Sequence, residues 1–166
     1  TSSRRQRQMC IRDSTKAIPL IVAAANNTET APGTLLETIQ ILLRLDQPEA
    51  FEGVLGALQN LEQNDKASSE RDRAREQFLS SPRLENHIEY LRETALSSSR
   101  NPDAKWAAMA ILTLAHNSDT GPEAKDAALA TVDQAWQTPE GMHTFIQAAF
   151  WTRVPILNDR IRTAMA

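Results

Sequence analysis

Three histidines are the residues of this chain best suited to acid–base or metal chemistry. Glu140 and His143 stand three residues apart, a spacing that puts both side chains on one helix face. Helical bundles that bind two iron ions use this Glu-x-x-His spacing for their ligands. Such bundles need a second Glu-x-x-His motif, and the sequence contains none. We therefore predict no metal site. We interpret His116 as a cation at the C-terminus of its helix, where it faces the negative end of the helix dipole. We expect His87 to lie at the edge of the buried apolar stripe of its helix.

Motifs for nucleophilic catalysis or phosphate binding are missing from the sequence. Neither Gly-x-Ser-x-Gly nor Ser-x-x-Lys occurs, and no glycine-rich loop could hold a phosphate. Gly53 and Gly56 lie three residues apart in one predicted helix, where they favour close packing against a neighbour. We therefore predict no catalytic residue and no cofactor, and expect that the protein is not an enzyme.

Aromatic residues give the sharpest candidate for a binding site. Trp106, Trp136 and Trp151 are each expected in the core, but Trp151 directly follows Phe150. Neighbouring residues of a helix point in different directions, so one of these two aromatic rings must face away from the buried stripe. An outward Trp151 beside Arg153 is a candidate contact for a partner, because tryptophan and arginine are enriched in binding hot spots.

The first fourteen residues differ in character from the rest of the chain. Arg4 to Asp13 resemble, without a mismatch, the conceptual translation of a transposase-based sequencing adapter, and Ser14 fits the incomplete last codon. The alternative is a natural basic tail that binds nucleic acid or membrane. We favour the adapter, and expect residues 1–14 to be a non-native tail that packs against nothing. The remaining residues, 15–166, would then be a fragment of a longer protein.

Removing this tail changes both the cysteine count and the charge. The only cysteine, Cys10, lies in it, so disulfides and thiolate sites are not expected elsewhere. The whole chain has 18 Lys and Arg against 21 Asp and Glu, a net charge of −3. Without the tail the balance is 14 against 20, a net charge of −6. An acidic domain repels phosphate, so nucleic acid is not an expected partner.

Length and composition predict one soluble domain over residues 15–166. The hydrophobic content of 41% and charged content of 23% are typical of globular proteins, and no apolar run is long enough to span a membrane. The segment from Lys16 to Ala25 has two interpretations: the end of a truncated signal peptide, or a short core helix that begins at Pro19. We favour the helix, and with it a cytoplasmic over a secreted or periplasmic location.

Prolines divide the chain into short helices. Proline suits the first turn of a helix, where its missing N–H has no intrahelical acceptor, and disrupts the interior. Seven prolines follow one another at intervals of 16 to 34 residues: Pro32, Pro48, Pro82, Pro102, Pro122, Pro139 and Pro155. The longest interval is predicted to contain a further start at Ser68 or Ser69. The fold class is therefore all-α, with eight to nine short antiparallel helices stacked as an α-solenoid or a compact helical array.

Candidate capping residues precede most of these prolines. Their side-chain oxygens can accept a free N–H of the first helical turn. Thr120 also stands three residues before Glu123, the spacing of a capping box. The candidates are Asp46, Ser81, Asn101, Thr120 and Thr138.

Apolar residues recur at helical spacing between these starts, which predicts one buried face per helix. The segment from Trp106 to Ala115 is apolar nearly all round, so we expect this helix to be the most buried. Residues 63–77 are polar and predict a loop and an exposed helix with its core contact at Phe78 and Leu79. The predicted faces are Leu35, Leu36, Ile39, Leu42 and Leu43; Phe51, Val54, Leu55, Leu58 and Leu61; Leu84, Ile88, Leu91 and Ala95; and Met142, Phe145, Ile146, Ala149 and Phe150.

The stretch from Ile88 to Leu114 resembles a HEAT-type repeat. Residues Pro102 to Ala108 are similar to the start of the family's second helix, and Pro122 to Leu129 resemble it again. Lys105 and Lys125 stand where the family usually has arginine, and the two starts are 20 residues apart, against about 40 between HEAT repeats. The resemblance implies a scaffold or binding surface and no catalytic residues.

These observations favour a non-enzymatic helical-repeat module that binds a protein partner or neighbouring repeats of its own chain, with no nucleic-acid or membrane partner. The alternative is a helical accessory domain of a larger enzyme whose catalytic part lies upstream. A third interpretation is a metal-binding bundle that uses Glu140 and His143. The candidate contact residues are Trp151 and Arg153.

Overall fold

A computed structural model describes residues 16–166, so the predictions for residues 1–14 lie outside the described residues. Within the described range the chain is helical and contains no strand, which confirms the all-α class. Short 3-10 helices at Leu84–His87 and Pro155–Leu157 precede the fifth and ninth α-helices. The α-helices are α1 (16–26), α2 (Pro32–Leu45), α3 (Pro48–Gln63), α4 (Ser68–Leu79), α5 (Ile88–Ala95), α6 (Asp103–His116), α7 (Pro122–Ala135), α8 (Pro139–Thr152) and α9 (Asn158–Met165).

The contacts group these helices into two compact units, which divide between Phe78 and Leu79. The first contains α1 to α4, except for the last residue of α4, and the second contains α5 to α9. The single domain over residues 15–166 and the solenoid arrangement stay predictions.

Most helices begin where the prolines predict. Four α-helices start on a proline, α4 starts at Ser68, and α6 starts one residue after Pro102. The prediction that Pro19 starts α1 is wrong, because the chain is already helical at residue 16. Pro82 lies in a turn, and the chain becomes helical only at Leu84.

Two of the predicted caps form, and the capping box does not. The Thr138 hydroxyl oxygen accepts the Gly141 N–H at 3.1 Å, and the Asn101 side-chain oxygen accepts the Asp103 N–H at 3.0 Å. The Thr120 hydroxyl is buried and has no hydrogen-bond partner within residues 16–166. It cannot cap α7, because Gly121 takes the cap position and donates its own N–H to the Glu85 carboxylate.

The other two candidates also serve different turns. Asp46 ends α2 in the left-handed conformation, at a φ of 52°, and the residue before α3 is Gln47, which makes no side-chain cap. The Ser81 hydroxyl oxygen accepts the Arg83 N–H at 3.2 Å within the turn that precedes the 3-10 helix. Ser81 therefore caps no helix, and the residue at the cap position of α3 is Gln47 rather than Asp46.

The first unit is built around α3, which buries most of its length. The predicted faces of α2 and α3 are confirmed, since all ten of their residues are buried. α2 packs along α3, and the Phe78 ring of α4 lies 6.0 Å from the Phe51 ring. Ala67, Ala74 and Phe78 are fully buried, which confirms the predicted core contact at Phe78, whereas Leu79 is only half-buried.

The two glycines of α3 allow α1 to approach closely, as predicted. A Cβ at Gly53 would lie 3.0 Å from side-chain carbons of both Leu42 and Val22, and one at Gly56 would lie within 2 Å of the Asn26 side-chain oxygen. One turn later, the Asn60 amide donates a 2.7 Å hydrogen bond to the backbone carbonyl of Ala25. The absence of side chains at the glycines therefore lets α1 lie against α3.

The second unit is built around α6, which packs against α5, α7, α8 and both 3-10 helices. From Ala104 to Ala115 every residue is buried except Lys105 and Thr113. This confirms the prediction that α6 is the most buried helix. Its alanines let neighbouring helices approach, and its larger side chains fill the space between them.

The predicted face of α8 is wrong except at Phe145. α8 buries Thr144, Phe145 and Ala148, while Ile146 and Phe150 point outward. The inner face can include a threonine because the Thr144 hydroxyl donates to the Glu140 backbone carbonyl at 3.2 Å, which satisfies its hydrogen bond within the helix. On α7, Leu129 is also more exposed than its apolar spacing predicts.

Trp106→Ala should lower the free energy of unfolding by about 3–5 kcal/mol, because it removes a large side chain from the centre of the second unit. Urea denaturation measures the change. Phe150→Ala is the matched control: its ring is 77% exposed, so the loss should stay below about 1 kcal/mol. An unchanged midpoint for the Trp106 variant would contradict the central position of α6.

Two threonine substitutions should have opposite consequences. Thr138→Ala removes a formed cap and should cost about 1 kcal/mol. Thr120→Val removes a buried hydroxyl without a hydrogen-bond partner, and should leave stability unchanged or raise it slightly. Equal losses of stability in the two variants, measured by denaturation, would show that Thr120 caps α7 after all.

Candidate interaction surface

The candidate surface lies on the C-terminal half of α8. The start of α8 and its packing on α6 determine which residues form this surface. The helix starts at the Thr138 cap and Pro139, and its inner face lies on α6. Residues of a helix repeat every 3.6 positions, so Ile146 and Phe150, four apart, share the face opposite to Thr144 and Ala148. The packing of α8 through Thr144 and Ala148 therefore leaves Ile146 and Phe150 outside, whereas Trp151, three residues after Ala148, is exposed at the C-terminal end of the helix.

Three large side chains make up this outer surface. Ile146 is 42% exposed, Phe150 77% and Trp151 48%. The rings of Phe150 and Trp151 meet edge to face, with their centroids 5.6 Å apart. This is a favoured geometry for an aromatic pair, and it fixes the orientation of both rings at the end of the helix. The structure thus places Trp151 outward, as the sequence analysis expects of one of these two rings.

Arg153 lies next to this surface, directly after α8. It is exposed, it adopts the left-handed conformation at a φ of 56°, and its N–H donates to the Ala149 carbonyl at 2.9 Å. Within the part of the chain that the structure describes, Arg153 forms no ion pair. Arg92, Arg160 and Arg162 of the same unit each contact a carboxylate. Ile146, Phe150, Trp151 and Arg153 are thus all exposed within eight residues at the C-terminal end of α8, and we call them the α8 patch.

The other two tryptophans have structural positions. Trp106 is buried in α6, with 3% of its surface exposed. Trp136 is half-buried at the end of α7, and the Arg160 guanidinium lies over its ring, 5.9 Å from the centroid. Arg160 also pairs with Asp133, which joins α9 to α7. Neither tryptophan contributes to the α8 patch.

Glu140 has a role that its spacing to His143 does not suggest. Its carboxylate accepts hydrogen bonds from the Ser99 N–H at 2.6 Å, the Ser99 hydroxyl at 2.7 Å and the Ser98 hydroxyl at 3.2 Å. These bonds attach the start of α8 to the loop between α5 and α6. The only sequence signal for this contact is the polar turn at residues 97–99.

The histidines do not assemble a site. His143 and His116 are exposed, and His87 is buried at the end of the first 3-10 helix, as the edge of a buried stripe would be. No group of three His, Cys, Asp or Glu side chains in the described range could hold a metal ion. The interpretation as a metal-binding bundle through Glu140 and His143 thus gains no support from the geometry.

An acidic cleft of about 550 Å³ lies between α5 and α7, and sequence reasoning did not find it. Glu85, Glu89 and Glu123 line it above an apolar floor that includes Ile88. The Glu85 carboxylate accepts the Gly121 N–H at 3.1 Å, and Glu89 pairs with Arg92. Two of the three carboxylates thus stabilise the local fold. The residues that line this cleft include no serine, threonine, cysteine, lysine or histidine.

Asp103 is the half-buried carboxyl at the start of α6. Burial raises the pKa of Asp103 above its usual value, because water no longer solvates the charged form fully. Desolvation is the cause of the raised pKa of Asp103, and no neighbouring charge contributes to it. Asp103 is therefore best explained as a carboxyl of the helix start.

Comparisons with known proteins return no match: no family model fits the chain, and neither the curated proteins nor the solved structures include one similar to it. Among the described helices, none combines the length and the apolar character that crossing a membrane requires. The α8 patch is therefore argued from its own geometry.

The Glu140 contact predicts a pH-dependent loop. Hydrogen bonds from the Ser99 hydroxyl and N–H and from Ser98, together with the charge of Arg100, hold the pKa of Glu140 below its usual 4.5. A depressed pKa stabilises the folded state above the unfolded pKa, and this contribution disappears as the pH falls through the folded pKa. NMR titration should show the Glu140 carboxyl and the Ser99 amide changing together, with a midpoint below 4.5.

Glu140→Gln is the control for this titration, because the amide keeps the shape of the side chain and cannot ionise. The Ser99 amide signal should then no longer change over this pH range. A Glu140 midpoint at or above 4.5, or a Ser99 titration that persists in the variant, would contradict the contact.

Proposed function

We propose that this protein is a non-enzymatic helical interaction module that binds a partner polypeptide through the α8 patch. One observation carries the proposal: the C-terminal half of α8 exposes Ile146, Phe150 and Trp151, and the rings of the last two are in contact. Contiguous exposed apolar surface costs solubility, and in folded monomers it commonly marks an interaction site. The other large apolar side chains that are exposed in the described range stand singly on their helices: Leu20, Ile41, Leu129 and Met165.

The composition of the patch supports a protein partner. Tryptophan and arginine are enriched among the residues that dominate binding energy, and aromatic side chains gain large contact area at a small cost in conformational entropy. The edge-to-face pair of Phe150 and Trp151 restricts both rings before any partner arrives. A restricted surface loses less entropy on binding than a mobile one.

A random dodecapeptide library displayed on phage, selected against the full chain, tests this function. Enriched peptides should bind Trp151→Ala and Phe150→Ala at least about tenfold more weakly than the wild type, a loss of about 1.4 kcal/mol that is typical of binding hot spots. Both residues are substantially exposed, so the variants should remain folded, which circular dichroism checks.

Leu20→Ala is the matched control, because Leu20 is an exposed apolar residue of the first unit, 75% accessible, outside the patch. Its affinity for the same peptides should stay within about twofold of the wild type. Selection without enrichment, or peptides that bind the Trp151 and Phe150 variants as well as the wild type, would overturn the proposal.

A further inference from the structure

Arg153 occupies a backbone position that arginine does not favour. At a φ of 56° the residue after α8 is left-handed, a conformation in which glycine has no steric cost and a side chain does. Helices commonly end on glycine at this position for that reason. A non-glycine residue held in this region is the kind of local strain that accompanies functional sites.

No side-chain contact among the described residues offsets the steric cost of this left-handed conformation. The Arg153 side chain forms neither an ion pair nor a hydrogen bond there. The segment that follows Arg153 also has a positive net charge. From Arg153 to Arg162 the chain carries three arginines and one aspartate, although the protein as a whole has a net charge of −3. Arg160 and Arg162 pair with Asp133 and Asp159, whereas Arg153 is exposed and forms no ion pair among the described residues.

We infer that Arg153 is a specificity residue of the α8 patch, and that the partner is a polypeptide segment that presents an aspartate or glutamate next to its apolar anchor. This inference rests on the proposed function. The partner's apolar side chain packs on Phe150 and Trp151, and its carboxylate accepts hydrogen bonds from the Arg153 guanidinium. Planar guanidinium groups bind carboxylates through two parallel hydrogen bonds, which restricts the position of the acidic residue relative to the anchor.

Arg153→Gly separates this role from a structural one, because the two roles predict opposite changes in stability. Glycine suits the left-handed position, so the variant should melt about 2–4 °C higher than the wild type. Its affinity for the dodecapeptides selected on the wild type should nevertheless fall at least about tenfold. Asp46→Gly, at the other left-handed residue, should leave peptide affinity within about twofold of the wild type.

The selected peptides provide the second measurement. They should be enriched in aspartate or glutamate at a fixed spacing from an apolar residue, and replacing that acid by its amide should weaken binding to the wild type but not to Arg153→Gly. Peptides that require Trp151 yet lack acidic residues and tolerate Arg153→Gly would overturn this inference while the proposed function stands. A lower melting temperature of Arg153→Gly would assign the arginine a structural role and overturn the inference as well.

A second copy of this chain is the other binding partner of the α8 patch that has to be tested. Sedimentation velocity over a range of protein concentrations should show a constant monomer mass. A mass that doubles with concentration, and does not double in Trp151→Ala, would show that the patch is covered by self-association and would overturn the inference. Failure of the library to yield any peptide would instead overturn the proposed function on which it rests.

Discussion

Close approach of helices along small side chains is the interaction on which the rest of this structure depends. In the first unit, Gly53 and Gly56 open the surface of α3 to α1, and in the second the alanines of α6 open it to its neighbours. Each central helix is thereby surrounded on most sides, and its larger residues fill the gaps at the density of a protein interior. Short helices with weak individual faces gain their stability from this packing.

The same constraint explains why α8 exposes its aromatic residues. A helix that packs closely on α6 must present small side chains, and Thr144 and Ala148 are both small and buried. Phe145 fills the space beside them, and there is no equivalent space for the large residues on the opposite side of the helix. The outward position of Phe150 therefore follows from the packing of the inner face, and an exposed apolar surface results from it.

Polar contacts in the second unit fix the loops that join the helices. Glu140 accepts three hydrogen bonds from Ser98 and Ser99, and Glu85 accepts the N–H of Gly121, so each carboxylate joins a helix start to a loop distant in sequence. Among the described residues, Arg153 has no comparable contact, whereas Arg160 and Arg162 each pair with an aspartate.

The sequence by itself determined the helices, because proline, small polar caps and apolar spacing act within a few residues of the chain. It predicted the burial of α6, the faces of α2 and α3, and the close packing at Gly53 and Gly56. It did not determine which face of α8 turns inward, since the apolar residues of that helix cover more than one face and only contact with α6 selects among them. The contacts of Gly121 with Glu85 and of Glu140 with Ser99 could not be predicted either, because the partners lie 36 and 41 residues apart and folding alone brings them together.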